Sequence, residues 1–441
     1  MNSEEAWSEI APRIAALEPP LFPDREKRFS RDSLSAREVL PALQQAMDDL
    51  HNEGGGHLIV PAGEYPLHGP LTLRSNVNLQ LCEGAVLRFS GEPTDFLPPV
   101  FQRWEGVEVY SHSPLIAARG ARNIGITGKG EIDGQGARKF ALWRSLQVPD
   151  QERLRDMGRD GVPLEQRIFG QGTHLRPSLF QPIDCENVLL EGITLRDSPF
   201  WIIHPTYCRN VIIRGVYVES LRINNDGCDP DSCQNVLIGD CIFHTGDDGV
   251  AIKSGRDQDG WRIGRPTERV LIRNCRFFSK INGLCIGSEM SGGVRQVFME
   301  NCRIGEAASA LYLKSNADRG GFIEEVFMRN IEIERATAAV VRLEPNYHSH
   351  RGGKTPARFR GIHLRDIRCG AADAYGLFLA GSPDCPVGEV CLENVAVGNA
   401  RQAVHLRHAK VRCQNVSIGG LQLPGELPET PADQPLLPVE M

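Results

Sequence analysis

The chain has 441 residues, 41% hydrophobic and 24% charged, with a formal net charge of −7. This suffices for an extended core, and it excludes global disorder and a basic nucleic-acid footprint; with no long apolar run it also excludes a membrane span. A mildly acidic surface does not by itself attract an acidic polymer, so such a substrate requires local Lys or Arg in a cleft.

In chain order, MNSEEAWSEI has neither a basic n-region nor an apolar h-region and does not read as a signal peptide. The expected compartment is the cytoplasm, or the periplasm or exterior if a leader has been cleaved. Ser35-x-x-Glu38 has the form of a capping box, and Val39, Leu43, Met47 and Leu50 recur at helical spacing. Pro41 is tolerated only in a first turn, so the spacing predicts a helix starting near Leu40 and ended by Gly54 to Gly56. Residues 1–56 are thus an N-terminal segment whose helix caps whatever follows. Residues 138–180 read as a charged, irregular insertion, and 421–441 as a Pro-rich extended tail.

Between these segments one phrase recurs: apolar, any, apolar, any, turn residue, apolar, any, apolar. Its copies are VLLEGITL at Val188, VIIRGVYV at Val211, VLIGDCIF at Val236 and VLIRNCRF at Val270, then VFMENCRI at Val297, VFMRNIEI at Val326, IHLRDIRC at Ile362 and VCLENVAV at Val390. The fifth position is always Gly, Asp or Asn, residues that tolerate a sharp bend. Strands repeated at such spacing without intervening helical pattern mean a β-solenoid, because each coil buries its apolar face only against the next. The expected fold is all-β, a parallel β-helix over 57–420 within a single domain, and right-handed by the crossover rule. Insertions in such arrays map to loops on one face.

The 13 cysteines are odd in number and contain no Cys-x-x-Cys pair, which argues against a zinc site or a disulfide framework. Cys241, Cys275 and Cys302 all occupy the sixth position of the phrase and should stack inside the coil as inert thiols, which fits a reducing compartment. No metal or other cofactor is implied.

A second aligned strand follows each copy: DGCDPDS at Asp226, DGVAIKS at Asp248, NGLCIGS at Asn282, SALYLKS at Ser309 and AAVVRLE at Ala338. Equal positions in a solenoid lie over one another, about 4.8 Å apart per coil. Asp226 and Asp248 become vertical neighbours with Asp247 beside them, and Lys314 lies two coils above Lys253. An acidic turn exposed to solvent is the plain alternative. Carboxylates held this close repel, however, and at least one pKa rises, which is what glycoside hydrolysis needs: one protonated carboxyl for the leaving oxygen and one ionised for water or sugar.

These residues resemble the polygalacturonase family, glycoside hydrolase family 28, over about residues 33 to 420. The ordered set is GGGHLIVPAGEYPLHGPLTLRSNVNLQLCEGAVL, RWEGVEVYSHSPLI, NIGITGKGEIDGQG, SPFWIIHP, NNDGCDP, TGDDGVAIKSG, IGSEMSGGV and LYLKSNADRGG. The resemblance implies single displacement with inversion on a pectic oligosaccharide or polysaccharide, Asp247 as general acid, and Asp226 and Asp248 activating water. Two departures stand out. The family's His before the IGS stretch is replaced in Ile281-Asn282-Gly283, and the Arg of its Arg-x-Lys pair is Tyr312, with Lys314 kept. Arg319 either replaces that cation or caps a loop. A rhamnogalacturonan-type substrate with a neutral leaving-side sugar is therefore a second expectation. A β-helix lyase that uses the Asp cluster for Ca²⁺, and a non-catalytic carbohydrate-binding β-helix, are others. His204, Trp201, Lys253, Arg256 and Glu289 complete the candidates, each with a packing or ion-pairing alternative.

Overall fold

The computed structural model describes residues 3–347, 352–431, 434 and 436–437. Its strands stack as three parallel ladders that together form a β-helix. The repeated phrase sets the register: Val188 pairs with Val211, then Val236, Val270, Val297, Val326, Ile362 and Val390 in unbroken succession. The fifth residue of all eight copies, from Gly192 to Asn394, has φ between 53° and 76°. This left-handed corner suits Gly, Asn and Asp and turns the first ladder into the second. Side chains reinforce the corner: Asn330 Nδ2 donates to Asn301 Oδ1 at 2.6 Å and Asn394 Nδ2 to Asp366 Oδ1 at 3.0 Å. Toward the C-terminus the coils merge into long strands that bend around the corners, such as Val294–Lys314 and Phe322–Glu344.

Inward-facing residues of every coil form one continuous buried core. Cys241, Cys275 and Cys302 stack there unbonded, as their common position requires, and Cys185, Cys208 and Cys233 form a second stack with the same register. No helix among the described residues is long and apolar enough to cross a membrane.

The capping helix spans Val39–Asn52, here called α3, after two short helices α1 (Ser3–Glu9) and α2 (Ala11–Ala15). Pro41 falls where helical N–H groups have no partner, so it costs no bond. Glu38 accepts the Ser35 N–H at 2.8 Å, the return half of the capping box. Gly55, at φ 111°, ends the helix where a Cβ would stand 2.3 Å from Asn76 O. The strand Glu26–Arg28 pairs with Gly56–Val60 and adds a rung below it.

Three expectations need correction. The insertion is not irregular throughout: it carries α4 (Lys139–Leu146) and α5 (Val148–Arg159). Only Phe140 in α4, and Leu154 and Gly158 in α5, are buried, so the apolar period that would announce helices is nearly absent. The phrase is also not strictly alternating. Its second position is apolar from Leu189 to Phe327, and the outward side chains of Leu237, Leu271, Phe298 and Phe327 are covered by α1 and α2, with Trp7 5.1 Å from Phe298. Finally, the tail doubles back: Leu421–Gln422 pairs antiparallel with Ala409–Ile418, and the Leu437 N–H donates to the Tyr375 hydroxyl.

Candidate active site

The third ladder builds the floor of the site. Cys228 pairs with Val250, Val250 with Leu284 and Leu284 with Leu311, so Asp226, Asp248, Asn282 and Ser309 stand one above another. Gly249 follows Asp248 because a Cβ there would meet the Phe277 ring at 2.4 Å. Ile252, Ile286 and Leu313 pair in the same way and place Lys314 two coils above Lys253.

One oxygen from each of Asp226, Asp247 and Asp248 lies within 4.8 Å of the others. Asp247 accepts the N–H of Asn224 and its own neighbour Asp248, each at 3.1 Å. Asn282 Nδ2 donates to Asp248 Oδ1 at 2.6 Å, and Lys314 Nζ stands 3.6 Å from Asp248 Oδ2. Burial, then the Asp247 charge, then Asp229, push the Asp226 pKa well above the usual carboxylate range. Burial and then Asp248 raise that of Asp247. Three oxygens at this spacing could take a divalent cation, but Lys314 already supplies positive charge to the cluster.

The cluster opens into a cavity of about 630 Å³. One wall is a hairpin, Val100–Trp104 against Val107–Ser111, held outside the solenoid by the buried Arg103–Asp231 ion pair at 2.9 Å. Its tip residue Glu105 accepts from Gln151 at 2.8 Å and pairs with Arg155 at 2.7 Å, so α5 is drawn over the cavity. Val107, Leu154, Phe169 and Trp201 pack behind this wall. A short helix, α6 (Asp257–Ile263), closes another side, its Asp259 bound to Arg167 at 2.8 Å.

Asp226, Asp247, Asp248, Lys253, Arg256, Glu289, Lys314, Arg319 and Trp201 all line this one cavity. Glu289 is an ion-pair hub that receives Arg256 and Lys253. Burial works against its charge, but Lys253 and Arg256 outweigh it and hold the carboxyl well below its usual range. Burial, then Arg319 and Arg155, push Arg256 down to about 10. Arg319 pairs with Asp257 and donates to Ser288 O at 2.8 Å, while Lys253 lies 4.8 Å from the Trp201 ring. Asn282 reaches the cavity only through Asp248. His204 and Tyr312 stand behind the lining: His204 packs edge-on to Trp201 at 4.7 Å, and the Tyr312 hydroxyl donates to Glu344 at 2.8 Å. Sequence reading missed Glu105, Arg144, Gln151, Arg155, Asn224, Asn316 and Tyr347, which also line the cavity. Asn224 and Glu105 lay inside the quoted motifs NNDGCDP and RWEGVEVY; the helix residues gave no signal.

A profile of glycosyl hydrolases family 28 matches residues 101–419, which take in the cavity wall and every coil that carries the floor. The chain belongs to this family. This family 28 glycoside hydrolase is 31% identical over 396 residues to a probable polygalacturonase of Vitis vinifera, covering 86% of this chain and 74% of that one. It is 25% identical over 356 residues to an exo-poly-alpha-D-galacturonosidase of Dickeya chrysanthemi, covering 74% of this chain and 58% of the relative. A solved exopolygalacturonase from Thermotoga maritima superposes with a TM-score of 0.89 at 34% identity, covering 95% of this chain and 98% of that one.

Proposed function

We propose that this hydrolase removes terminal galacturonate from pectic oligosaccharides by exo action with inversion. The carrying observation is that the Asp226–Asp247–Asp248 cluster faces a cavity walled in part by Arg144 of α4 and by Gln151, Glu152 and Arg155 of α5. A polymer passing through would collide with these helices; a chain end would fit. The similarity to exo-acting relatives supports the same reading.

Asp247, its pKa raised, gives its proton to the glycosidic oxygen. Asp226 and Asp248 take a proton from a water that attacks the anomeric carbon from the opposite face. The oxygens are closer than the carboxyl spacing of most inverting enzymes, which suits one water gripped by two bases. Lys314 takes the leaving-side carboxylate. At the roofed end Arg144 lines the cavity and, among the described residues, forms no ion pair, unlike Arg155, Arg256 and Arg319. It supplies the charge an acidic terminal sugar needs.

Tyr312 in place of an arginine favours the second reading, a neutral sugar on the leaving side, since Lys alone is a weaker clamp than a bidentate guanidinium. One experiment separates these readings. Homogalacturonan and rhamnogalacturonan oligomers are digested, and the products identified by mass and first-formed anomer. Galacturonate released singly as the β-anomer supports exo action with inversion. A rapid viscosity fall on polymer, or an unsaturated product, overturns it. We also place the enzyme in the cytoplasm, since all 13 of its cysteines are free thiols; recovery from the periplasm on cell fractionation would reject this.

A further inference from the structure

Arg176 is a cation sealed in the protein without an acid bonded to it. It is 3% exposed, and its four hydrogen bonds all go to uncharged oxygens. Nε donates to Gln147 Oε1 at 2.8 Å. One Nη donates to Pro199 O at 3.1 Å and to Ile223 O at 3.2 Å, and the other to Asn224 Oδ1 at 2.7 Å. The guanidinium lies over the Phe200 ring, 5.1 Å from its centre, and the Arg176 carbonyl accepts the Trp104 indole N–H at 2.9 Å. A buried guanidinium is ordinarily paired with a carboxylate, since its lost hydration is otherwise uncompensated. The carboxyls whose charge reaches it are Glu105 and Asp247, opposed by Arg144 and Arg222. Burial, then Arg144, push it down to about 10, so it stays charged at neutral pH.

What this cation holds is the peptide group between Ile223 and Asn224. The C=O of that group receives Arg176, and its N–H donates to Asp247 Oδ2 at 3.1 Å. In a trans peptide these two groups point opposite ways, so the guanidinium and the Asp247 carboxyl face each other across one amide. Asn224 has φ 62°, a conformation Asn tolerates, and its side chain accepts from the same guanidinium. Asn225 anchors the turn on Ser198 O and Phe200 O, and those bonds reach neither atom of this peptide.

We infer that Arg176 is a positioning residue for Asp247: by gripping the Ile223–Asn224 carbonyl it keeps the amide of that peptide aimed at the acid's carboxyl. A cation on the carbonyl also strengthens the N–H as a donor. Without it the peptide is free to turn, and Asp247 loses a bond that favours its charged form. Burial and Asp248 raise the Asp247 pKa; Lys314, the Asn224 N–H and Lys253 work against them, and Asp226 is the remaining carboxyl facing it. Because Nε also holds Gln147, between α4 and α5, the roof and the acid share one guanidinium.

The inference rests on the proposed role of Asp247 as general acid, and the test separates the two. The pH profile of kcat/KM on digalacturonate is measured for the wild type, Arg176→Ala, Arg176→Lys and Asp247→Asn. Activity falls on the alkaline side as the acid loses its proton. Losing the amide bond raises the pKa of Asp247, so the alkaline limb of Arg176→Ala should move up by about one to two pH units. Arg176→Lys keeps the charge, but a point charge cannot serve acceptors spread around a planar fork, so its limb should move up as well. A limb at the wild-type position in Arg176→Lys would mean that only the distant charge matters, and would overturn the inference. So would an unmoved or lowered limb in Arg176→Ala, the mark of a merely structural residue. If the Ala variant does not fold, the Lys variant, which fills similar space, decides the matter by the same reading. Full activity in Asp247→Asn would instead reject the acid role itself.

Discussion

At the scale of single residues, the site works by crowding carboxyls where burial denies them easy charge. Asp247→Asn should reduce kcat by at least ~10² with an unchanged circular dichroism spectrum; a tenfold loss or less would remove it as the acid. The same crowding carries a cost in stability. Asp226 and Asp247 have raised folded-state pKa values, so the stability linked to them is fully present below about pH 4. It is lost as pH rises through the raised values. Asp226→Asn should therefore be inactive yet more stable at pH 7, by at least about 1 kcal/mol, the equivalent of one pKa unit, and its unfolding midpoint should fall less between pH 5 and 8. A midpoint below the wild type's at pH 7 would show that Asp226 is not under such strain. Arg144→Ala should raise KM about tenfold for acidic oligomers and leave kcat nearly unchanged; a fall in kcat alone would take Arg144 out of ground-state binding. Among these residues the aspartates were legible in sequence, because repeating positions translate directly into vertical neighbours. Arg144 was not, because nothing in a polar helix indicates which of its faces meets a cavity whose floor is built later in the chain.

At the scale of elements, the enzyme is a regular scaffold with irregular attachments, and the attachments decide what enters. The roof hangs on few contacts: Leu154 into the aromatic wall, and the Glu105 bonds to Gln151 and Arg155. Leu154→Ala should weaken it by about 2–5 kcal/mol. Viscosity of polygalacturonate should then fall faster per bond cut than with the wild type; an unchanged ratio would mean that α5 does not exclude internal segments. The strands and corners were readable because φ near +55° favours Asn, Asp and Gly, and the fifth position of all eight phrases is one of the three. The helices of the insertion were not, since α5 is stabilised by ion pairs such as Arg155–Glu152 rather than by an apolar stripe. The second position is apolar in six successive phrases, from Leu189 to Phe327, and α1 and α2 cover the last four of them, a trace that a reading of strict alternation passes over. Trp7→Ala should release those helices, at a cost of about 3 kcal/mol. Hydrogen exchange at Leu237, Leu271, Phe298 and Phe327 would report it, and unchanged protection there would argue against docking through Trp7.

At the scale of the whole molecule, coils contact mainly their immediate neighbours, so stability is distributed along the axis. The third ladder carries the site between Trp201 and Lys314, well away from either end, where a coil has partners on both sides. Amide exchange should accordingly be slowest over coils 234–344 and fastest over 409–430, where the last rung is covered only by the returning tail; uniform protection would contradict this. The link between α1–α2 and the middle coils has a further consequence, for biogenesis. A nascent solenoid can wind from its first rung as it leaves the ribosome, but α1 and α2 find their full landing surface only once Phe327 has emerged. Until then the two helices are a tethered, sticky appendage, and their late return fastens the rungs that bear the aspartates from behind.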